Sequence, residues 1–201
     1  MPGGDKGVEA SEGMGSDPLI ARVDLGAGKV TYETLSGETL RECMGGTGLA
    51  AWYLVREVPP GADWDSPENR LLILSGVLGG TPLPGTGTFS VVSKGPMTGL
   101  AGSSQANGFL GAFLRSNGLL GVIVQGTAPE WVCLLVEHGR VRIADAHDLL
   151  GLDTFETERQ LAGRTMGQVS VAAIGPAGEN RVRFAAIVSD GGHVAAHNGL
   201  G

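Results

Sequence analysis

Glycine recurs along this chain singly and in clusters such as Gly45-Gly46-Thr47-Gly48, Gly79-Gly80 and Gly191-Gly192. At 35 of 201 residues it is more than twice its usual share of roughly 7%. The glycines follow no G-X-Y period, which excludes collagen and points to tight turns and close backbone approaches. A hydrophobic share of 42% against 17% charged residues puts the chain among globular proteins with a sizeable core. The length suits one large domain better than two small ones.

Read in order, residues 1–17 offer almost nothing to bury and predict a disordered tail, with one domain over 18–201. Leu19–Leu25 and Lys29–Thr34 carry strand residues around Gly26-Ala27-Gly28, a first hairpin. Glu38–Met44 and Leu49–Glu57 read as helical up to Pro59-Pro60. Leu71–Ser75 and Phe89–Ser93 are strand-like and flank the long Gly79–Gly87 connection, a wide second hairpin. Gly99–Asn107 is a Gly/Ser-rich segment leading to a helix at Gly108–Arg115 and a buried strand at Leu120–Gln125. Trp131–Glu137 and Arg140–Ile143 form a hairpin about His138-Gly139, and Asp153 begins a helix over Thr154–Leu161. Val169–Ile174, a turn at Gly175–Asn180 and a strand at Arg181–Val188 close the sequence. Hairpin, helix, hairpin thus occurs twice, in Leu19–Ser93 and Trp131–Val188. The fold class expected is α+β, duplicated antiparallel sheets with few helices, and extended parallel-sheet folds fit poorly.

Charge narrows the partners. Lys and Arg number 14 against 21 Asp and Glu, a net −7, with no basic run interleaved with aromatics, so no nucleic acid is expected. No apolar stretch of about 20 residues is present, and the first residues lack a basic and apolar leader, so no membrane partner and a cytoplasmic location are expected. Cys43 and Cys133 lie far apart outside any C-x-x-C, which argues against a disulfide framework or an all-Cys metal site.

Several motifs have competing readings. Gly46-Thr47-Gly48-Leu49-Ala50-Ala51 fits the dinucleotide pattern, but the residues before it look helical, so the glycines are read as letting two helical pieces bend and touch. His193-Val194-Ala195-Ala196-His197 would set two imidazoles on one helix face, yet the glutamate of a zinc protease is missing and no third ligand is indicated. Cys43 and Cys133 read as small buried hydrophobes before nucleophiles. Ser103, Ser104 and Asp190 could join a histidine only in space, which spacing does not reveal. Gly79–Thr88, Gly99–Gly108 and Asp190–Gly201 are either plain loops or places where bare backbone N–H groups hold a phosphate-like anion.

The chain resembles a known family at many colinear blocks. These are Val23-Asp24-Leu25, Gly28-Lys29-Val30, Gly45–Ala50, Ser66-Pro67-Glu68-Asn69, Gly80-Thr81-Pro82, Phe89–Gly99, Asp153–Glu158 and Ile174–Asn180. Together they are similar to the N-terminal part of aldehyde ferredoxin oxidoreductases, from about Leu19 to the end. The resemblance implies a duplicated α+β domain forming a base under a tungsten or molybdenum bis-pterin cofactor, with magnesium bridging its phosphates. It implies oxidation of aldehydes to carboxylates, with electrons passing through a 4Fe-4S cluster that this chain does not ligate to a ferredoxin-type acceptor. The remaining family domains, or a partner subunit, would complete the catalyst, and the isolated chain is expected to be inactive. A homodimer is among the assemblies the resemblance allows.

By the same resemblance, the cofactor contacts fall on Thr88, on Gln105, Ala106, Asn107 and Gly108, and on His193, Val194, Ala195, Ala196 and His197. No catalytic residue and no protein metal ligand is implied. Where relatives carry Arg, this chain has Thr88, Thr47, His193 and His197. Arginine is always cationic and grips phosphate with two parallel N–H bonds, so these positions hold a dianion less firmly. The resemblance therefore leaves two outcomes, an oxidoreductase component or a non-catalytic structural or interaction module that has lost its cofactor.

Overall fold

The structure, a computed structural model, describes residues 18–201. The tail expected over residues 1–17 lies outside them. The first hairpin pairs β1 (Leu19–Asp24) with β2 (Lys29–Thr34) in antiparallel register from Leu19↔Thr34 to Asp24↔Lys29. Its turn is held by the Asp24 carboxylate, which accepts from Ala27 N at 2.9 Å.

Two helices follow. Ser36 caps α1 (Gly37–Cys43) by accepting from Thr39 N, and Met44 ends it in the left-handed region at φ 57. Gly45 opens α2 (Gly46–Glu57). Gly48 lies against α1, where a Cβ would stand 2.5 Å from the Cys43 carbonyl oxygen. The dinucleotide-like pattern thus follows a helix and serves a helix–helix contact, as the sequence suggests.

The main sheet adds β3 (Arg70–Ser75), β4 (Phe89–Lys94), β5 (Ala101–Ala106) and β6 (Leu119–Gln125), in the order β2-β1-β6-β3-β4-β5. Neighbouring strands are antiparallel except β1 and β6, which run parallel. That single parallel pair sits in a sheet that is otherwise antiparallel, as the α+β expectation has it. The β6 sequence LLGVIVQ is apolar on both faces, as a central strand must be, and such a run carries no signal for the direction of its neighbours. Gly99–Asn107 departs from expectation, since most of it is strand β5. Its small Ala, Gly and Ser residues have low β propensity, and they pair because β4 supplies the ladder.

Alternate residues of the sheet feed opposite faces. Ile20, Leu72, Leu74, Val92, Leu120 and Ile123 pack under α2 with Leu49, Tyr53 and Leu54. Ala21, Val23 and Val122 face the other way, toward Leu114 of α3 (Leu110–Ser116) and Val141 of a second hairpin. That hairpin is β7 (Val132–Glu137) with β8 (Arg140–Asp145). On the α2 side, Arg22 pairs with Glu33 at 2.6 Å and with Glu57, which also binds Arg70 at 3.2 Å, so one ionic cluster ties β1, β2, α2 and β3.

After a 3-10 turn at His147–Leu149 comes α4 (Thr154–Ala162), begun by a reciprocal capping box between Asp153 and Glu156. A small antiparallel sheet, β9 (Ala172–Ala173), β10 (Ile187–Ser189) and β11 (His193–Ala195), completes the fold. The turn expected at Gly175–Asn180 holds a short helix α5 (Pro176–Glu179), and the strand expected over Arg181–Val188 is confined to its end. Hairpin, helix and antiparallel pair do recur in chain order. The first set joins one sheet, whereas the second divides between two small ones. No helix among the described residues is long and apolar enough to cross a membrane.

Candidate functional site

The β3–β4 connection, the end of β5 and the β10–β11 turn meet at one rim of the main sheet. Thr88 precedes β4 and stands across the ladder from Asn107, to which its hydroxyl donates at 3.0 Å. Two residues are paired just inside them, Phe89 with Ala106. Gly108 then turns the chain at φ 103 toward the small sheet, where a Cβ would stand 2.5 Å from Asp190 Oδ2 and 3.1 Å from His193 Cδ2. Only glycine allows that approach.

Asp190 is the latch of this rim. Its Oδ2 accepts from Phe109 N at 2.7 Å, and its Oδ1 accepts from Ser170 Oγ at 2.7 Å and Val171 N at 3.3 Å. The turn it begins is held from the other side by Glu158, which accepts from Gly191 N at 2.9 Å. Beyond β11, Ser104 Oγ donates to the Ala196 carbonyl at 2.6 Å and Asn198 Nδ2 donates to Ser103 O at 2.7 Å. The small sheet is thereby moored along edge strand β5.

The expected site residues do not all present side chains to this rim. Ala106 and Ala195 are buried at 5% and 1% exposure, packed with Phe89, Val91 and Ile187. Gln105 points to the opposite face, donating to Thr47 Oγ1 at 3.4 Å at the start of α2. Thr47 also contacts Ser103 Oγ at 2.9 Å and donates to Ser90 Oγ at 3.2 Å. Thr88, Asn107, Gly108 and His193 lie at the rim, whereas Ala196 and, after it, His197 run back along β5, where the Ala196 carbonyl accepts from Ser104 Oγ and Asn198 Nδ2 donates to Ser103 O. None of the three segments carries Lys or Arg.

Alternative chemistries find no support in the geometry. His193 lies in strand β11, and His197 lies beyond it at φ 75, so the two imidazoles are not stacked on a helix face. Among the described residues no group of three or more His, Cys, Asp or Glu side chains is arranged to hold a metal ion. Ser104 and Asp190 spend their hydrogen bonds on backbone, Asn198 and Ser170, with no imidazole in either set. Cys43 and Cys133 are free thiols, and burial pushes the Cys133 thiol up, away from the reactive thiolate.

Residues 20–201 match the family described as aldehyde ferredoxin oxidoreductase, N-terminal domain. The tungsten-containing aldehyde ferredoxin oxidoreductase of Pyrococcus furiosus is 37% identical over 181 residues, covering 90% of this chain and 30% of that protein. Its counterpart from Thermococcus kodakarensis is 38% identical over 181 residues, with the same shares of 90% and 30%. The WOR-like subunit of a Pyrococcus furiosus aliphatic sulfonate oxidoreductase is 34% identical over 197 residues, covering 89% of this chain and 31% of that subunit. Among solved structures, a chain of the active site complex BamBC of benzoyl coenzyme A reductase, in complex with 1,5-dienoyl-CoA, superposes with a TM-score of 0.88 at 33% identity. That match covers 92% of this chain and 28% of the other.

Proposed function

The chain belongs to the aldehyde ferredoxin oxidoreductase family, matching its N-terminal domain, and on that premise we propose that it seats a phosphate-bearing tungsten- or molybdenum-pterin cofactor within a larger oxidoreductase. It spans 30% of the length of the curated relatives it matches, so the activity proposed is that of an assembly with further domains or a partner subunit. When bound, such a group would supply the redox chemistry, in which an aldehyde and water become a carboxylate and three protons, and two electrons pass toward a ferredoxin-type acceptor. The residues of this chain bind and orient.

The observation that supports this reading is the meeting of three side-chain-poor segments at one rim. Phosphates are held by bare backbone N–H groups in glycine turns as well as by cations. Here Gly85, Gly108, Gly191 and Gly192 all turn with positive φ, and the Asp190 latch fixes two of the three segments relative to one another. Thr88, Asn107 and His193 would contribute side-chain donors around them. Magnesium, if it accompanies the phosphates as the resemblance implies, would be held by backbone carbonyl oxygens of the same segments.

A second reading, a structural or interaction module without cofactor, is favoured by one feature. Part of the polar rim is already paired within the chain, Thr88 with Asn107, and Asp190 with Ser170 and the Phe109 backbone N–H. Protein isolated from an anaerobic, pterin-producing host supplied with tungstate and molybdate separates the two. Stoichiometric tungsten or molybdenum together with pterin is the result expected, and folded protein free of both establishes the second reading instead.

A further inference from the structure

Four basic side chains are partly buried among the described residues: Arg22, Arg70, Lys94 and Arg115. Three have acceptors. Arg22 and Arg70 bind Glu57, and Lys94 donates to the Pro60 and Ala62 carbonyls. Among the described residues Arg115 has no ion pair, and its buried Nε has no hydrogen-bond partner. The bases that lack a recorded side-chain acceptor elsewhere, such as Arg140 and Arg183, are exposed and solvated by water. An unpaired buried donor costs about 1–3 kcal/mol, so a protein keeps one where something else completes it.

The position of Arg115 indicates what that is. Gly111 and Arg115 are four residues apart and share one face of α3. The Gly76–Thr88 connection runs across that face, with Gly111 N donating to Gly87 O at 3.0 Å. Farther along it, a Cβ at Gly79 would stand 2.8 Å from Arg115 Cγ, and one at Gly80 would stand 3.1 Å from Arg115 Cβ. The glycine pair admits the arginine stem directly beneath the loop that ends at Thr88. Burial alone lowers the Arg115 pKa, with no carboxylate to offset it.

We propose that Arg115 is the fixed cation of the rim and grips a phosphate of the ligand seated there. This rests on the cofactor-seat reading and adds a residue to it. A guanidinium presents a planar fork of donors that matches two phosphate oxygens, and it stays cationic across the pH range in which proteins fold. It would supply the positive charge that the three converging segments themselves lack.

Titration of the full chain with magnesium pyrophosphate by calorimetry tests the assignment. The wild-type protein is expected to bind, Arg115→Met to bind roughly tenfold to a hundredfold more weakly, and Arg115→Lys to fall between them because it keeps charge without the fork. Equal affinity in wild type and Arg115→Met overturns the role of Arg115 and leaves the seat intact. No binding by the wild type overturns the seat and the assignment together. Should the methionine variant not fold, phenylglyoxal labelling of the wild type with peptide mass mapping decides the matter. Pyrophosphate is expected to protect Arg115 and not the exposed Arg140 or Arg183, and labelling of Arg115 unaffected by pyrophosphate contradicts the proposal.

Discussion

Gly108 and Asp190 carry the geometry of the rim between them. Gly108→Ala would force a side chain into φ 103 and into the Asp190 carboxylate. A loss of about 2–4 kcal/mol is expected, combining backbone strain with a weakened latch. Asp190→Ala removes the acceptor of Phe109 N, Ser170 Oγ and Val171 N, and should cost about 1–3 kcal/mol. Urea unfolding checks both, and a change within about 0.5 kcal/mol, ordinary for a surface site, would show that the latch does not hold the segments together. The sequence singles out both Gly108 and Asp190, but nothing in it shows that they meet. Their relation is hidden because the partners of Asp190 lie 81 and 20 residues away in the chain. Arg115 is silent in the sequence, where it reads as an ordinary base in the last turn of a helix.

Among the elements, strong apolar runs and cap signals are legible. Asp153 marks the start of α4 as its N-cap, and the strand residues on either side of Gly26-Ala27-Gly28 mark the β1–β2 hairpin. Strand β5 is not legible, since AGSSQA has little intrinsic preference and depends on β4 for its structure. The ionic cluster that joins β1, β2, α2 and β3 sets a pH dependence. Burial pushes the Glu57 carboxyl up, but the hydrogen bond and charge of Arg22, with those of Arg70, pull it further down, leaving it below its ordinary 4.5. A lowered carboxyl contributes stability that is fully present above 4.5 and is lost as pH falls through the folded-state value. Glu57→Gln should therefore flatten the acid limb of a stability–pH curve while changing its shape little above neutrality. An acid limb identical to that of the wild type would show the cluster to be energetically idle.

For the whole molecule, the colinear blocks disclose the family because they survive in order across the chain, whereas the sheet order does not follow from them. Parallel pairing of β1 with β6 joins strands about a hundred residues apart, and nothing local in either strand specifies it. Contacts between residues distant in the chain bring Thr88, Asn107, Gly108 and Asp190–His193 together at one rim, and it is this convergence that would seat a ligand. A nitrogen–proton correlation spectrum of the labelled protein, recorded while magnesium pyrophosphate is added, reads it residue by residue. Shifts concentrated at Gly85–Thr88, Asn107–Phe109 and Asp190–His193 are the result expected. Shifts spread over the surface, or gathered at the far end of the sheet around Trp64–Asn69 and Arg181, would contradict it.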